Sequence, residues 1–199
     1  MTTLLETEAK LSVSPHVLNA IRGEDCNLAV WERPAQPALA TLLESEPEDA
    51  HFAAPLSDLE TRLPEELAAC GYSDTPARAA LIDDILTLAK QYAGVMELDA
   101  VSVRLAVVTT DSCRKFHADY VKARLITTYV GTGTQWVDAA DAARIARGAE
   151  PLSFQTMSAG DVGLFKGKMW TESPAIHRSP PIEGTDETRL ILVLDPVRG

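Results

Sequence analysis

The chain has 199 residues, of which 46% are apolar, and a formal net charge of −11. That length fits one domain, with room for an N-terminal extension, and the apolar share suffices for a sizeable core. The charge argues against nonspecific binding to nucleic acid or anionic lipid. The lack of any run of about 18 apolar residues argues against a transmembrane helix. A start without a basic stretch leading into an apolar one predicts no secretory leader and a cytoplasmic protein. Cys26, Cys70 and Cys113 form no C-x-x-C pair and are too scattered for a disulfide framework, so they read as reduced thiols.

In chain order, Cys26 to Trp31 is short, apolar and closed by Arg33-Pro34, which predicts a strand ending where proline stops the ladder. Pro37 to Glu46 reads as a short helix with proline in its first turn. At Leu56-Ser57-Asp58-Leu59-Glu60, a serine cap with Glu60 three residues on forms a capping-box pattern, and the helix it opens runs to Cys70-Gly71. The strongest helix starts at Thr75-Pro76. Its residues Ala80, Leu81, Ile85, Leu88, Ala89 and Tyr92 recur at helical spacing up to Gly94 and are expected to face the core. From about residue 101 the pattern turns to β, with strands at Val101 to Val108, Arg124 to Val130, Asp161 to Phe165 and Arg189 to Leu194. Turn signals fall at Gly131-Thr132-Gly133, Gly160-Asp161, Gly167 and Pro180-Pro181, and Ala139 to Arg147 reads as a short inserted helix. Residues 1–199 therefore form one domain in which 1–100 are a mainly helical scaffold with one early strand and 101–199 are a β-rich core. The fold class is α+β, most simply a jelly-roll or double-stranded β-helix of cupin type supported by N-terminal helices.

Charge is unevenly spread. Residues 1–100 carry 6 Lys/Arg against 18 Asp/Glu, whereas residues 101–199 carry 12 against 11. The β-rich half is near neutral, with basic residues close in sequence to its chemical motifs, and a small anionic ligand can be accommodated there.

Those motifs begin with His117-Ala118-Asp119. On an extended segment, an imidazole and a carboxylate two residues apart point to the same side, so both can hold one metal ion. His177, from a distant strand, completes a two-His, one-carboxylate set, which leaves coordination positions open and suits non-haem Fe(II) oxygen chemistry. Twelve residues further on, Arg189 heads a strand that is apolar on both faces. A buried arginine needs an anionic partner, either a ligand carboxylate or a nearby Asp or Glu. On the 124–130 strand, Arg124 and Tyr129 lie on opposite faces unless a bulge intervenes; Tyr129, with Leu125 and Thr127 on its side, is assigned to cosubstrate contact. Trp136, Phe165 and Trp170 are candidates for a substrate mouth, with core packing as the alternative. His16 and His51 have no partners at ligand spacing and read as surface or loop residues. No Walker-type loop, no G-x-G-x-x-G and no G-x-S-x-G elbow occurs.

The order His117-x-Asp119, then His177, then Arg189, spread over short strands, resembles the Fe(II)/2-oxoglutarate-dependent dioxygenase superfamily across roughly residues 100–195. The phrases Cys113-Arg-Lys-Phe-His-Ala-Asp119, Arg124-Leu-Ile-Thr-Thr-Tyr-Val-Gly131, Gly160-Asp-Val-Gly-Leu-Phe-Lys-Gly167 and Ile176-His-Arg-Ser-Pro180 resemble more narrowly an uncharacterised bacterial family, domain of unknown function 1826. The superfamily resemblance implies Fe(II) held by His117, Asp119 and His177, with 2-oxoglutarate anchored by Arg189, no catalytic side chain beyond the ligands, and hydroxylation of an unknown small-molecule or peptide substrate. The narrower family, associated with zinc-homeostasis genes, keeps a second reading open. In it the protein is a zinc-binding protein for storage, sensing or delivery, in which Cys113 joins the same three residues in a closed tetrahedral site.

Overall fold

The computed structural model describes residues 7–197, and its central feature is a seven-stranded sheet. The strands in chain order are β1 (Glu8–Ser12), β2 (Cys26–Trp31), β3 (Ala50–Pro55), β4 (Ala100–Val108), β5 (Ala123–Val130), β6 (Gln135–Trp136), β7 (Gln155–Thr156), β8 (Val162–Lys166), β9 (His177–Arg178) and β10 (Arg189–Pro196). The large sheet runs β1-β2-β8-β5-β10-β4-β3, and a small one runs β7-β6-β9. Every pairing in the large sheet is antiparallel except β1 with β2. Two facing sheets with supporting helices make the α+β double-stranded β-helix expected from the sequence.

Helix α1 (Leu59–Ala69) and helix α2 (Pro76–Met96) cover one face of the large sheet. Leu81, Ile85, Leu88 and Tyr92 of α2 are fully buried against Val103 and Leu105 of β4, Leu125 and Tyr129 of β5, and Leu190, Leu192 and Leu194 of β10. The even-numbered leucines of β10 thus turn to the helices. Its odd-numbered Ile191 joins a second, smaller apolar cluster on the other face with Leu28, Val30, Ile126, Met157, Phe165 and Ala175. This alternation separates a structural face from a chemical one.

Several local expectations change. The first hundred residues contribute three strands, not one. β3 was missed although its burial alternates strictly, with Ala50, Phe52 and Ala54 inward and His51, Ala53 and Pro55 outward; three alanines and a terminal proline hide that period in the sequence. The Ser57–Glu60 capping box does not form. Ser57 Oγ instead donates to Asp58 Oδ1 at 2.7 Å, and Glu60 pairs with Lys90 Nζ at 2.7 Å, so the two side chains are used elsewhere. Thr75 does cap α2, accepting from Arg78 N at 3.2 Å. The segment Pro37–Ser45 winds as a 3-10 helix, as does Pro15–Arg22. Helix α3 (Ala139–Ala146) sits where expected, opened by Asp138, which accepts from Asp141 N at 2.8 Å. No helix among the described residues is long and apolar enough to cross a membrane.

Candidate metal centre

His117 and His177 are direct cross-strand partners. Each backbone N–H donates to the other residue's carbonyl at 2.9 Å, forming an isolated antiparallel bridge at the edge of the small sheet. Residues exchanging both bonds project their side chains to one side, and the two imidazole centres lie 4.8 Å apart. In each ring Nδ1 is engaged by a carbonyl two residues earlier, Lys115 O at 2.8 Å for His117 and Ala175 O at 3.2 Å for His177. A carbonyl accepts only from N–H, so the proton resides on Nδ1 and the Nε2 lone pair is free. That second-shell arrangement orients a metal-binding histidine. Phe165 of β8 packs against the His177 ring, with centres 4.6 Å apart.

Asp119 completes the set. Its Oδ2 stands 3.3 Å from His177 Nε2 and its Oδ1 3.7 Å from His117 Nε2. One ligand atom from each of His117, Asp119 and His177 lies within 4.8 Å of the others. Burial acts to raise the Asp119 pKa, but its contacts with the His177 side chain and the Arg124 charge outweigh it, leaving the carboxyl below its ordinary value. Arg124 of β5 donates Nη1 to Asp119 Oδ1 at 2.7 Å and is itself held by Asp195 of β10 through Nε and Nη2, both at 2.8 Å. Asp119 Oδ2, by contrast, is buried with no hydrogen-bond donor, and it faces the free Nε2 of His177. Three unshared lone pairs converging on one point suit a divalent cation. The chain after Asp119 passes so close to Gly167 that a Cβ there would lie 2.2 Å from Val121 O. Only glycine fits, which gives the Gly167 turn signal a packing reason.

Arg189 enters the same face at the head of β10 and is wholly buried. Its Nε donates to Thr132 O at 2.6 Å and its Nη2 to Thr128 Oγ1 at 3.4 Å, while Nη1 has no partner. No carboxylate among the described residues forms an ion pair with it. Burial pulls its pKa down to about 10, against the opposing charge of Glu187. Gly131, at φ 84°, makes room for it: a Cβ there would meet Arg189 Cγ at 2.8 Å. A cavity of about 110 Å³ opens beside the two histidines, lined by His117, His177, Arg124, Ile126, Ile191 and Val193 among others.

Tyr129 is a correction. It lies on the helical face, buried, with its hydroxyl donating to Asp84 Oδ2 at 2.8 Å, and Asp84 is in turn paired with Arg33 at 2.7 Å. The register of β5 against β10 shifts at this residue, Leu190 pairing with Val130 but Ile191 with Thr128. This bulge leaves Tyr129 and Val130 both toward the helices. Its strand partner in the choice, Arg124, is the one that looks into the site. Cys113 is a second correction. Residues around it turn instead of extending, with Cys113 at φ 60°, and its exposed thiol falls outside the group of ligand atoms although it borders the cavity. Arg178, beside a candidate ligand, stacks over the Phe116 and Phe154 rings at 4.3 and 5.0 Å and donates to Gln135 Oε1 at 2.7 Å. Trp170 lies over Lys166, 5.1 Å from Nζ, and does not line the cavity. Asp195 and Arg104 were missed. The alternation that groups Arg189, Ile191 and Val193 extends to Asp195 by two more residues, so a signal for it was present.

Solved structures of similar fold are found in other organisms. Dioxygenase for auxin oxidation 1 from Arabidopsis thaliana, solved with 2-oxoglutarate, aligns with a TM-score of 0.57 at 10% identity, covering 97% of this chain and 93% of its own. A Pseudomonas putida prolyl-4-hydroxylase aligns at 0.48 and 10% identity, covering 93% and 99%. At such identities the likeness is one of fold. A search of curated protein sequences finds no match. The chain belongs to the family described as protein of unknown function (DUF1826), whose profile matches residues 12–195.

Proposed function

We propose that this protein is an Fe(II)/2-oxoglutarate-dependent oxygenase, with His117, Asp119 and His177 as the iron ligands and Arg189 as the anchor of the cosubstrate's distal carboxylate. The observation that carries the reading is Arg189, a wholly buried guanidinium with an unpartnered Nη1 and no ion-paired carboxylate among the described residues. A buried, uncompensated charge is costly, and a ligand carboxylate at that position removes the cost. 2-Oxoglutarate, the ligand of the Arabidopsis dioxygenase, has a carboxylate at each end, one for Arg189 and one for a metal.

Iron in this site supplies activation of O2 coupled to oxidative decarboxylation of 2-oxoglutarate to succinate and CO2. The rest falls to the chain. The two Nδ1–carbonyl bonds fix the imidazoles with Nε2 forward. Arg124 holds one oxygen of Asp119 and leaves the other free. Phe165, Ile126 and Ile191 keep the floor apolar and exclude water. A closed zinc site needs a fourth protein ligand, and Cys113 stands outside the cluster, so no observation favours that alternative.

Anaerobic titration of the Fe(II)-loaded protein with 2-oxoglutarate tests the reading. The expected result is one iron per chain, a weak visible absorption that grows with 2-oxoglutarate, and succinate on admission of air. Stoichiometric zinc after purification without added metal, with no 2-oxoglutarate binding at millimolar concentration, would overturn it.

A further inference from the structure

The small sheet covers only part of the large one. Trp136, Met157 and Ala175 pack over β2, β8 and β5, whereas on the same face of β4 and β3 Arg104 and His51 are exposed and Ser102 is half-buried. Arg104 sits opposite Val193 in the β4–β10 register and opposite His51 in the β3–β4 register. Its side chain is 54% exposed, and it lines the cavity that holds His117 and His177.

Three arginines and no Asp or Glu line that cavity, in a chain of net charge −11. Two of the three are already engaged, Arg124 by Asp119 and Asp195 and Arg178 by Gln135. Arg104 is the cavity-lining arginine without a hydrogen bond among the described residues. Asp49 Oδ2 lies 3.6 Å from its Nη2, beyond hydrogen-bond reach, and both side chains are about half in water. The other Asp49 oxygen is used by Val107 N at 2.8 Å. Arg189, buried elsewhere on this face, is matched by 2-oxoglutarate in the reading above, so Arg104, whose one ionic neighbour among the described residues is the half-exposed Asp49 at 3.6 Å, is the cation at the open rim with donors to spare.

We infer that Arg104 marks the subsite of the oxidised substrate, and that this substrate is a small anion whose carboxylate or phosphate is held by the Arg104 fork from the uncovered half of the sheet. The identification of that anion as the substrate rests on the oxygenase reading; the anion site itself does not. A guanidinium offers paired donors matched to either group, and a charged rim over a partly apolar wall raises the local concentration of such a ligand.

Saturation-transfer NMR with benzoate, phenylphosphonate and the neutral benzamide, on protein saturated with Zn(II) and with N-oxalylglycine as a non-reacting stand-in for 2-oxoglutarate, tests this. Benzoate and phenylphosphonate should bind and compete with each other, benzamide should not, and Arg104→Gln should weaken the anions by at least about tenfold. Arg104→Lys should recover part of that loss, and N-oxalylglycine should bind Arg104→Gln as it binds wild type. Benzamide binding as tightly as benzoate, unchanged anion affinity in Arg104→Gln, or displacement of benzoate by N-oxalylglycine would overturn the inference. Failure of N-oxalylglycine to bind wild type, with Arg104-dependent benzoate binding intact, would sink the oxygenase reading and leave the anion site standing.

Discussion

Replacing Arg189 by methionine separates a ligand anchor from a structural ion pair. The substitution keeps the aliphatic stem and removes the charge. Burial lowers the Arg189 pKa from its ordinary value to about 10; at about 1.36 kcal/mol per pH unit, this is a cost on the order of 3 kcal/mol. Because the folded value is the lower one, the cost is present in full at neutral pH and is relieved only as pH rises through about 10. Against it stands the 2.6 Å bond to Thr132 O, which contributes about 1 kcal/mol. Ligand-free Arg189→Met should therefore range from unchanged to about 2 kcal/mol more stable than wild type, an unusual outcome for a fully buried position. Ligand response should move the other way. At a 2-oxoglutarate concentration about 100 times the wild-type Kd, binding adds about 2.7 kcal/mol, and a variant weakened about 100-fold keeps roughly 0.4 kcal/mol. At about 2–4 °C per kcal/mol for a chain of this size, wild-type Tm should rise by about 5–10 °C and the variant's by about 1 °C. Thermal unfolding with and without 2-oxoglutarate, at fixed divalent metal, reads both. A ligand-free variant destabilised by more than about 2 kcal/mol, or one with the full ligand-induced rise, would refute the reasoning.

His177→Ala should lose most bound metal by elemental analysis while keeping its far-UV circular dichroism, since the 177 N–H and carbonyl bridge to His117 is backbone-made. Tyr129→Phe should leave 2-oxoglutarate affinity unchanged, as its hydroxyl serves Asp84 on the other face, and cost about 1–3 kcal/mol in denaturant unfolding. Gly131→Ala meets both a φ of 84° and a 2.8 Å approach to Arg189 Cγ; it should destabilise by about 1–3 kcal/mol and also blunt the 2-oxoglutarate-induced rise in Tm. Ile85→Ala, at a fully buried site under the sheet, should cost about 2–5 kcal/mol with metal stoichiometry intact.

Long periodic elements are legible in the sequence. The Leu81, Ile85, Leu88 stripe and the β10 alternation each repeat often enough for their period to stand out, and the core follows from them. Short elements are not. β6, β7 and β9 span two residues each, too few for any periodicity, so the sheet that carries His177 was invisible as a sheet. The three ligand types were visible as residues, but their convergence depends on a single antiparallel bridge between positions 117 and 177. Tyr129 shares a face with Leu125, as alternation predicts, but that face packs on the helices, and which side of β5 meets the helices is set by tertiary packing that the strand's own sequence does not show.

Arg124 and Asp195 give the site a property that the ligand set alone would not. A carboxylate has two oxygens and can chelate an ion with both. Here Asp119 Oδ1 is claimed at 2.7 Å by a guanidinium that Asp195 grips through two further bonds, and the partial burial of all three groups reduces the water available to replace that contact. Burial acts to lower the Arg124 pKa, but Asp195 and Asp119 outweigh it and raise the value, so the clamp stays charged across the working pH range. Asp119 then keeps Oδ2 as its unclaimed oxygen, facing His177 Nε2 at 3.3 Å. A single-oxygen carboxylate with two imidazoles leaves an octahedral ion half its positions for exchangeable ligands. The clamp arises from strand register: Arg124 and Asp195 come together only because β5 and β10 are neighbours whose same-face residues fall side by side. In the proposed reading, the fold thereby would keep a bound ion accessible as well as held.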